Sequence, residues 1–144
     1  MEISQYGEFG LISHLTENFP IKQSSTVYGV GDDCAVIRPS AEDGQMLITT
    51  DLLLEGIHFD LTYCPLRHLG YKACVVNFSD IFAMMGTPRQ LTVSIGVSKR
   101  FKVEDLDDFI DIAKETNPNI AIYANGCLKT SINLNNFIFL SLFS

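Results

Sequence analysis

Basic residues are scarce in this 144-residue chain: 10 Lys and Arg stand against 17 Asp and Glu, a formal charge of −7. That balance argues against binding to a nucleic-acid backbone, which needs a basic footprint. A phosphorylated small-molecule partner would be bridged by a cation rather than by a lysine patch. Cysteine is also sparse. Cys34, Cys64, Cys74 and Cys127 form no C-x-x-C pair and have no His at zinc-ligand spacing, so each reads as a small core residue in a reducing compartment. Long apolar runs are missing too. The most apolar stretch, "FIFLSLF" at 137–143, is far too short to span a bilayer. The opening Met-Glu-Ile-Ser carries no basic region of the kind that begins a signal peptide. The expectation is a soluble, cytoplasmic protein with no membrane partner. No internal repeat or low-complexity segment is present.

What is there is a chain of one-domain size, 47% apolar, enough for a real core. Its patterns alternate between helix and strand periods, which predicts a mixed α/β (α+β) domain, a mixed sheet with flanking helices. Phe9, Ile12, Leu15 and Phe19 predict a helix over 8–19 closed by Pro20. "YGVGDDCAVIRP" reads as a glycine turn feeding a short strand. "PSAEDGQ" (39–45) reads as a hairpin-like turn and "MLITTDLLL" (46–54) as a strand. A long helix is expected over 65–86, opened by Pro65 and stopped by Gly86-Thr87-Pro88. Leu91, Val93, Ile95 and Val97 alternate as a half-buried strand within 89–98, and 102–115 is a second amphipathic helix. The composition then shifts: Asn occurs twice in residues 1–109 and six times in 110–144. One reading is a last strand, "IAIYA", turning at "NG" into a hairpin. Another is a divergent tail that replaces the carboxy-terminal part of a longer protein. This divides the chain into a domain over 1–109 and a tail over 110–144.

The acidic residues carry the chemistry. Asp32 and Asp33 sit side by side at a strand mouth, Asp51 interrupts "LITT-D-LLL", and Asp80 lies in a helix among Val75, Val76, Phe78, Ile81 and Phe82. Taken singly, each is an ordinary cap or turn residue. An ionised carboxylate with apolar flanks is nevertheless costly unless paired. Two of them at 4 Å would repel by about 4 kcal/mol at a surface-like effective dielectric. Few local bases could offset that. Hard divalent cations bound through oxygen would, with Thr49 and Thr50 adding hydroxyl or carbonyl ligands. The pattern fits Mg²⁺ holding a nucleotide's phosphates, and it does not fit zinc.

"GEFGLI" (7–12), "GVGDDCAV" (29–36), "TTDLLLEGIHF" (49–59) and "GYKACVVNFSDIFAMMGTP" (70–88) together resemble the successive signatures of the thiamine-monophosphate kinase family. That family belongs to the superfamily of aminoimidazole ribonucleotide synthetase, selenophosphate synthetase and the hydrogenase maturation protein of the same fold. The resemblance covers residues 1 to about 109 and implies the amino-terminal domain of that fold, pairing with a second copy into a shared barrel, a homodimer. It implies ATP-dependent phosphorylation of thiamine phosphate to thiamine diphosphate. It also implies Asp33, Thr49, Thr50, Asp51 and Asp80 as magnesium ligands, with Asp33, Thr50 and Asp51 also serving the nucleotide. His58, otherwise a half-buried strand-end histidine, matches the residue that touches the substrate. No residue is assigned a covalent or acid–base role.

The family pattern continues into a "GGD" motif whose Asp is a further magnesium ligand. The corresponding place here is "IYANGCLK", without the acid, and the family's second domain does not follow. The expectation is a truncated chain with little activity alone. Two other classes remain: a metal-dependent phosphatase using the same carboxylates, and a non-catalytic pairing or nucleotide-binding module.

Overall fold

A computed structural model describes residues 5–98, 101–130 and 137–143. Nine elements follow in chain order: α1 (Gly7–Thr16), β1 (Thr26–Tyr28), β2 (Ala35–Ile37), β3 (Met46–Leu54), α2 (Leu66–Ala83), β4 (Gln90–Ser98), α3 (Val103–Thr116), β5 (Ala121–Thr130) and β6 (Phe137–Phe143). The six strands make one sheet in the order β1-β2-β3-β6-β4-β5. Only β4 and β5 run parallel, joined through α3, as a parallel pair requires a crossover; all other neighbours are antiparallel.

Strand alternation decides which side is covered. Leu47, Thr49 and Leu53 of β3 are buried, with Leu91 and Val93 of β4, and α2 packs over β3. The buried stripe of α2, Leu69, Ala73, Phe78 and Ile81 among others, recurs at helical spacing and meets this face. The third layer is α3, through Phe109 and Ala113. Gly70 sets the approach of the two helices. A Cβ built there would lie 2.3 Å from the Phe109 carbonyl oxygen and 2.5 Å from Ile112 Cγ2. At the start of α3, the Asp105 carboxylate accepts a hydrogen bond from the Lys102 N–H at 2.8 Å, satisfying one otherwise orphaned amide.

Among the described residues no helix packs on the other face of the sheet. Thr50 and Leu52 of β3 are exposed there, and Tyr123 of β5 is about half exposed. The pairings Thr50–Ser141, Ser141–Thr92 and Thr92–Tyr123 run one row across four strands. The sheet is open, with β1 and β5 at its edges.

Three expectations are corrected. The first helix ends at Thr16 rather than at Phe19; the Thr16 hydroxyl bonds back to the Ile12 carbonyl at 2.8 Å, and the Phe19 N–H closes a turn on the Thr16 carbonyl. Its apolar stripe is not core: Phe9 and Phe19 are exposed, and among the described residues α1 packs on no other element. The long helix stops at Ala83, short of Gly86; the left-handed residue behind it is Met85 (φ 58°), and the Gly86 N–H reaches the Ile81 carbonyl at 2.8 Å. Finally, "NG" makes no turn. Strand β5 runs through it because β4 offers a continuous row of backbone partners, and the register slips by one residue where Val93 pairs Ala124 and Ser94 pairs Gly126. The run "FIFLSLF" enters the sheet as β6, between β3 and β4.

Candidate functional site

Strand β3 and helix α2 bring three of the expected residues together. Positions 47, 49, 51 and 53 alternate toward α2, so Thr49 and Asp51 face the helix that carries Asp80. The buried Thr49 hydroxyl donates to Asp80 Oδ2 at 2.6 Å, a charge-assisted bond that orients the carboxylate. Asp51 is half-buried. Its carboxyl is raised above its ordinary value near 3.8, first by burial and then by the charge of Asp80, while His58 acts in the opposite sense. Asp51 and Asp80 therefore repel across the gap between strand and helix.

Asp33 lies in the turn before β2. It is exposed, and its N–H donates to Asp32 Oδ1 at 3.0 Å. The link is Cys34, buried at the mouth of β2. Burial pushes its thiol up to about 11, and the charges of Asp80, Asp33 and Asp32 push the same way. One buried thiol thus senses acids from the turn and from α2. It is held protonated and unreactive. Thr50 is the exception: strand alternation turns its side chain to the opposite face of the sheet, where it is exposed. His58 lies beyond the end of β3, exposed, its Nδ1 accepting from the Leu54 N–H at 3.0 Å.

Two further residues belong to this neighbourhood. Asn77, one turn before Asp80 on α2, is fully buried; its amide donates to the Ala73 carbonyl at 3.0 Å, and its Oδ1 meets no donor among the described residues. The signal was a carboxamide inside the apolar run "VVNF". Lys72 bonds the His58 carbonyl from α2, a contact no local pattern announces.

Among the described residues no three His, Cys, Asp or Glu side chains form a ready-made metal cage. The donor set is nonetheless entirely oxygen, and its carboxylates repel one another, as Asp51 records. Such a set suits Mg²⁺, which is held by one or two carboxylates and completes its shell with water and phosphate.

A mixed sheet backed by helices on one face, with a strand acid facing a helix acid, defines a class, and the comparisons name it. The N-terminal domain of the AIR synthase related protein family matches residues 31–123, and the chain belongs to that family. Within it, the relatives are thiamine-monophosphate kinases: that of Buchnera aphidicola subsp. Schizaphis graminum is 38% identical over 95 residues, 66% of this chain and 29% of that protein. The Bacillus subtilis enzyme is 38% identical over 100 residues, 69% and 30% respectively. This chain spans less than a third of their length. The complex of AaThiL with AMPPCP and TMP superposes with a TM-score of 0.74 at 28% identity, over 100% of this chain and 44% of that one, β5 and β6 included. No helix among the described residues is long and apolar enough to cross a membrane.

Proposed function

We propose that this chain is the amino-terminal, magnesium- and nucleotide-binding part of a cytoplasmic thiamine-monophosphate kinase, an enzyme that passes the γ-phosphoryl group of ATP to thiamine phosphate. The observation that carries the reading is the Thr49–Asp80–Asp51 constellation, whose carboxylate repulsion a cation would offset. Support comes from the relatives' activity and from a structural neighbour bound to AMPPCP and TMP.

Asp33, Asp51 and Asp80, with Thr49 and the Thr50 carbonyl, would hold Mg²⁺. When bound, it would neutralise charge on the phosphates and so relieve the repulsion between two anionic reactants. The chain's own residues position. Asp80, fixed by Thr49, and Asp51 frame the nucleotide's phosphates, Asp33 closes the site from the turn, and His58 meets the substrate phosphate. Little covalent chemistry is required, because phosphoryl transfer rests on alignment and charge.

The tail over 110–144 carries Asn125-Gly126-Cys127 where the family has its acidic motif, so one magnesium ligand is absent from the domain over 1–109 and its continuation. Losing one well-placed electrostatic contributor costs about 10²–10³ in rate. The isolated chain is therefore a binding module with negligible turnover. The check is residues 1–144 incubated with ATP, Mg²⁺ and thiamine phosphate: thiamine diphosphate should not exceed a no-enzyme control. Robust formation that Asp51→Asn abolishes would show the acidic motif to be dispensable.

A further inference from the structure

The turn that follows β3, residues 54–59, is tied at both ends. The Ile57 and His58 N–H groups reach the Leu54 carbonyl at 3.2 and 2.9 Å, and the Gly56 N–H reaches the Phe59 carbonyl at 2.7 Å. Gly56 supplies the left-handed residue the turn needs, at φ 84°. Inside this frame the His58 ring is oriented by the Leu54 N–H, which donates to Nδ1. A neutral imidazole with Nδ1 accepting must carry its proton on Nε2. The exposed ring thus offers an N–H donor outward rather than a lone pair. The same turn borders an open groove lined by Gly56, Ile57, His58, Asp60, Tyr63 and Lys72, among others. On its far side Asp60 is pinned: its carboxylate accepts from the Thr62 hydroxyl and N–H at 2.7 and 2.8 Å.

Helix α2 makes the cross-link to this turn. Lys72, exposed on its surface, donates from Nζ to the His58 carbonyl, and an ammonium group has two more donors to point into the groove. We propose that Lys72 is a positioning residue: by holding the His58 carbonyl it locks the turn so that Nε2–H, not Nδ1–H, is presented to an anionic oxygen of a phosphorylated substrate. The proposal rests on the reading of thiamine phosphate as that substrate.

The test compares the wild-type chain with Lys72→Met and Lys72→Arg, in two readouts. Long-range proton–nitrogen correlation of the imidazoles, assigned with His58→Gln, reports the His58 tautomer at a pH where the ring is neutral. Calorimetry reports thiamine phosphate binding. In wild type the Nε2–H tautomer should dominate. Lys72→Met should mix the tautomers and weaken binding about tenfold, the scale of one charge-assisted hydrogen bond. Lys72→Arg, which can still reach the carbonyl, should restore both. Unchanged His58 signals in Lys72→Met overturn the positioning role, as does a changed tautomer with wild-type affinity. A tautomer that depends on Lys72 in a chain that binds no thiamine phosphate supports the positioning role and removes the substrate reading instead.

Discussion

At the scale of single residues, Asp51 shows how the site and the fold compete. Without a cation its carboxyl is raised by burial and by Asp80. The unfolded chain releases that proton near 3.8, whereas the folded chain holds it to higher pH. Between those two values the folded state binds more protons, so its stability falls as pH rises through the window. Asp51→Asn removes that penalty. Without Mg²⁺ the variant is expected to unfold at higher urea than wild type at pH 7, with the advantage vanishing below the ordinary carboxylate range. A wild type as stable as the variant at pH 7 would contradict it. Asp51 and Asp80 were legible in the sequence because ionised groups between apolar neighbours stand out as costly. Cys34 was legible as a core residue and Asn77 as a carboxamide in an apolar run, but what each faces was not, and neither was the contact made by Lys72, since these depend on which other element each meets. The same limit applied to Thr50, whose neighbours in sequence point the opposite way.

At the scale of elements, the close approach of α2 and α3 depends on a missing side chain. Gly70→Ala gains about 1 kcal/mol of helix propensity but forces a methyl group against the Phe109 backbone, a clash worth about 1–3 kcal/mol or more when nothing flexible can yield. A net loss of stability is expected in urea denaturation, and a gain would show that the helices stand further apart. Helices α2 and α3 and strands β3 and β4 were readable because each carries its own periodicity and stop signals. The end of the sheet was not. "NG" is a strong local hairpin signal, yet nine consecutive partners on β4 keep β5 extended through it. The destination of β6, between strands some 90 and 45 residues earlier in the chain, is a long-range pairing that no local pattern encodes. The α1 stripe was readable as helix but not as exposed, because periodicity reports that a face is apolar and not what covers it.

At the scale of the whole molecule, the uncovered sheet face with Leu52 and Tyr123, the exposed Phe9 and Leu15 of α1 and the exposed Phe19 just beyond it put apolar side chains in water, where burial against a partner would be favourable. A closed symmetric pair is the simplest way to cover the sheet face. Light scattering at tens of micromolar should give twice the chain mass of 16.0 kDa, and a clean monomer at that concentration would contradict pairing. The measurement that bears most directly on the proposed function is calorimetric titration of AMPPCP into the chain, with and without Mg²⁺, repeated with Asp80→Asn. This substitution keeps an acceptor for Thr49 while removing the charge. Binding should require Mg²⁺, stabilise the fold by about 2.7 kcal/mol at a hundredfold excess over the dissociation constant, and weaken at least tenfold in the variant. Nucleotide binding that is indifferent to Mg²⁺, or unchanged in Asp80→Asn, would show that the converging acids are not the site.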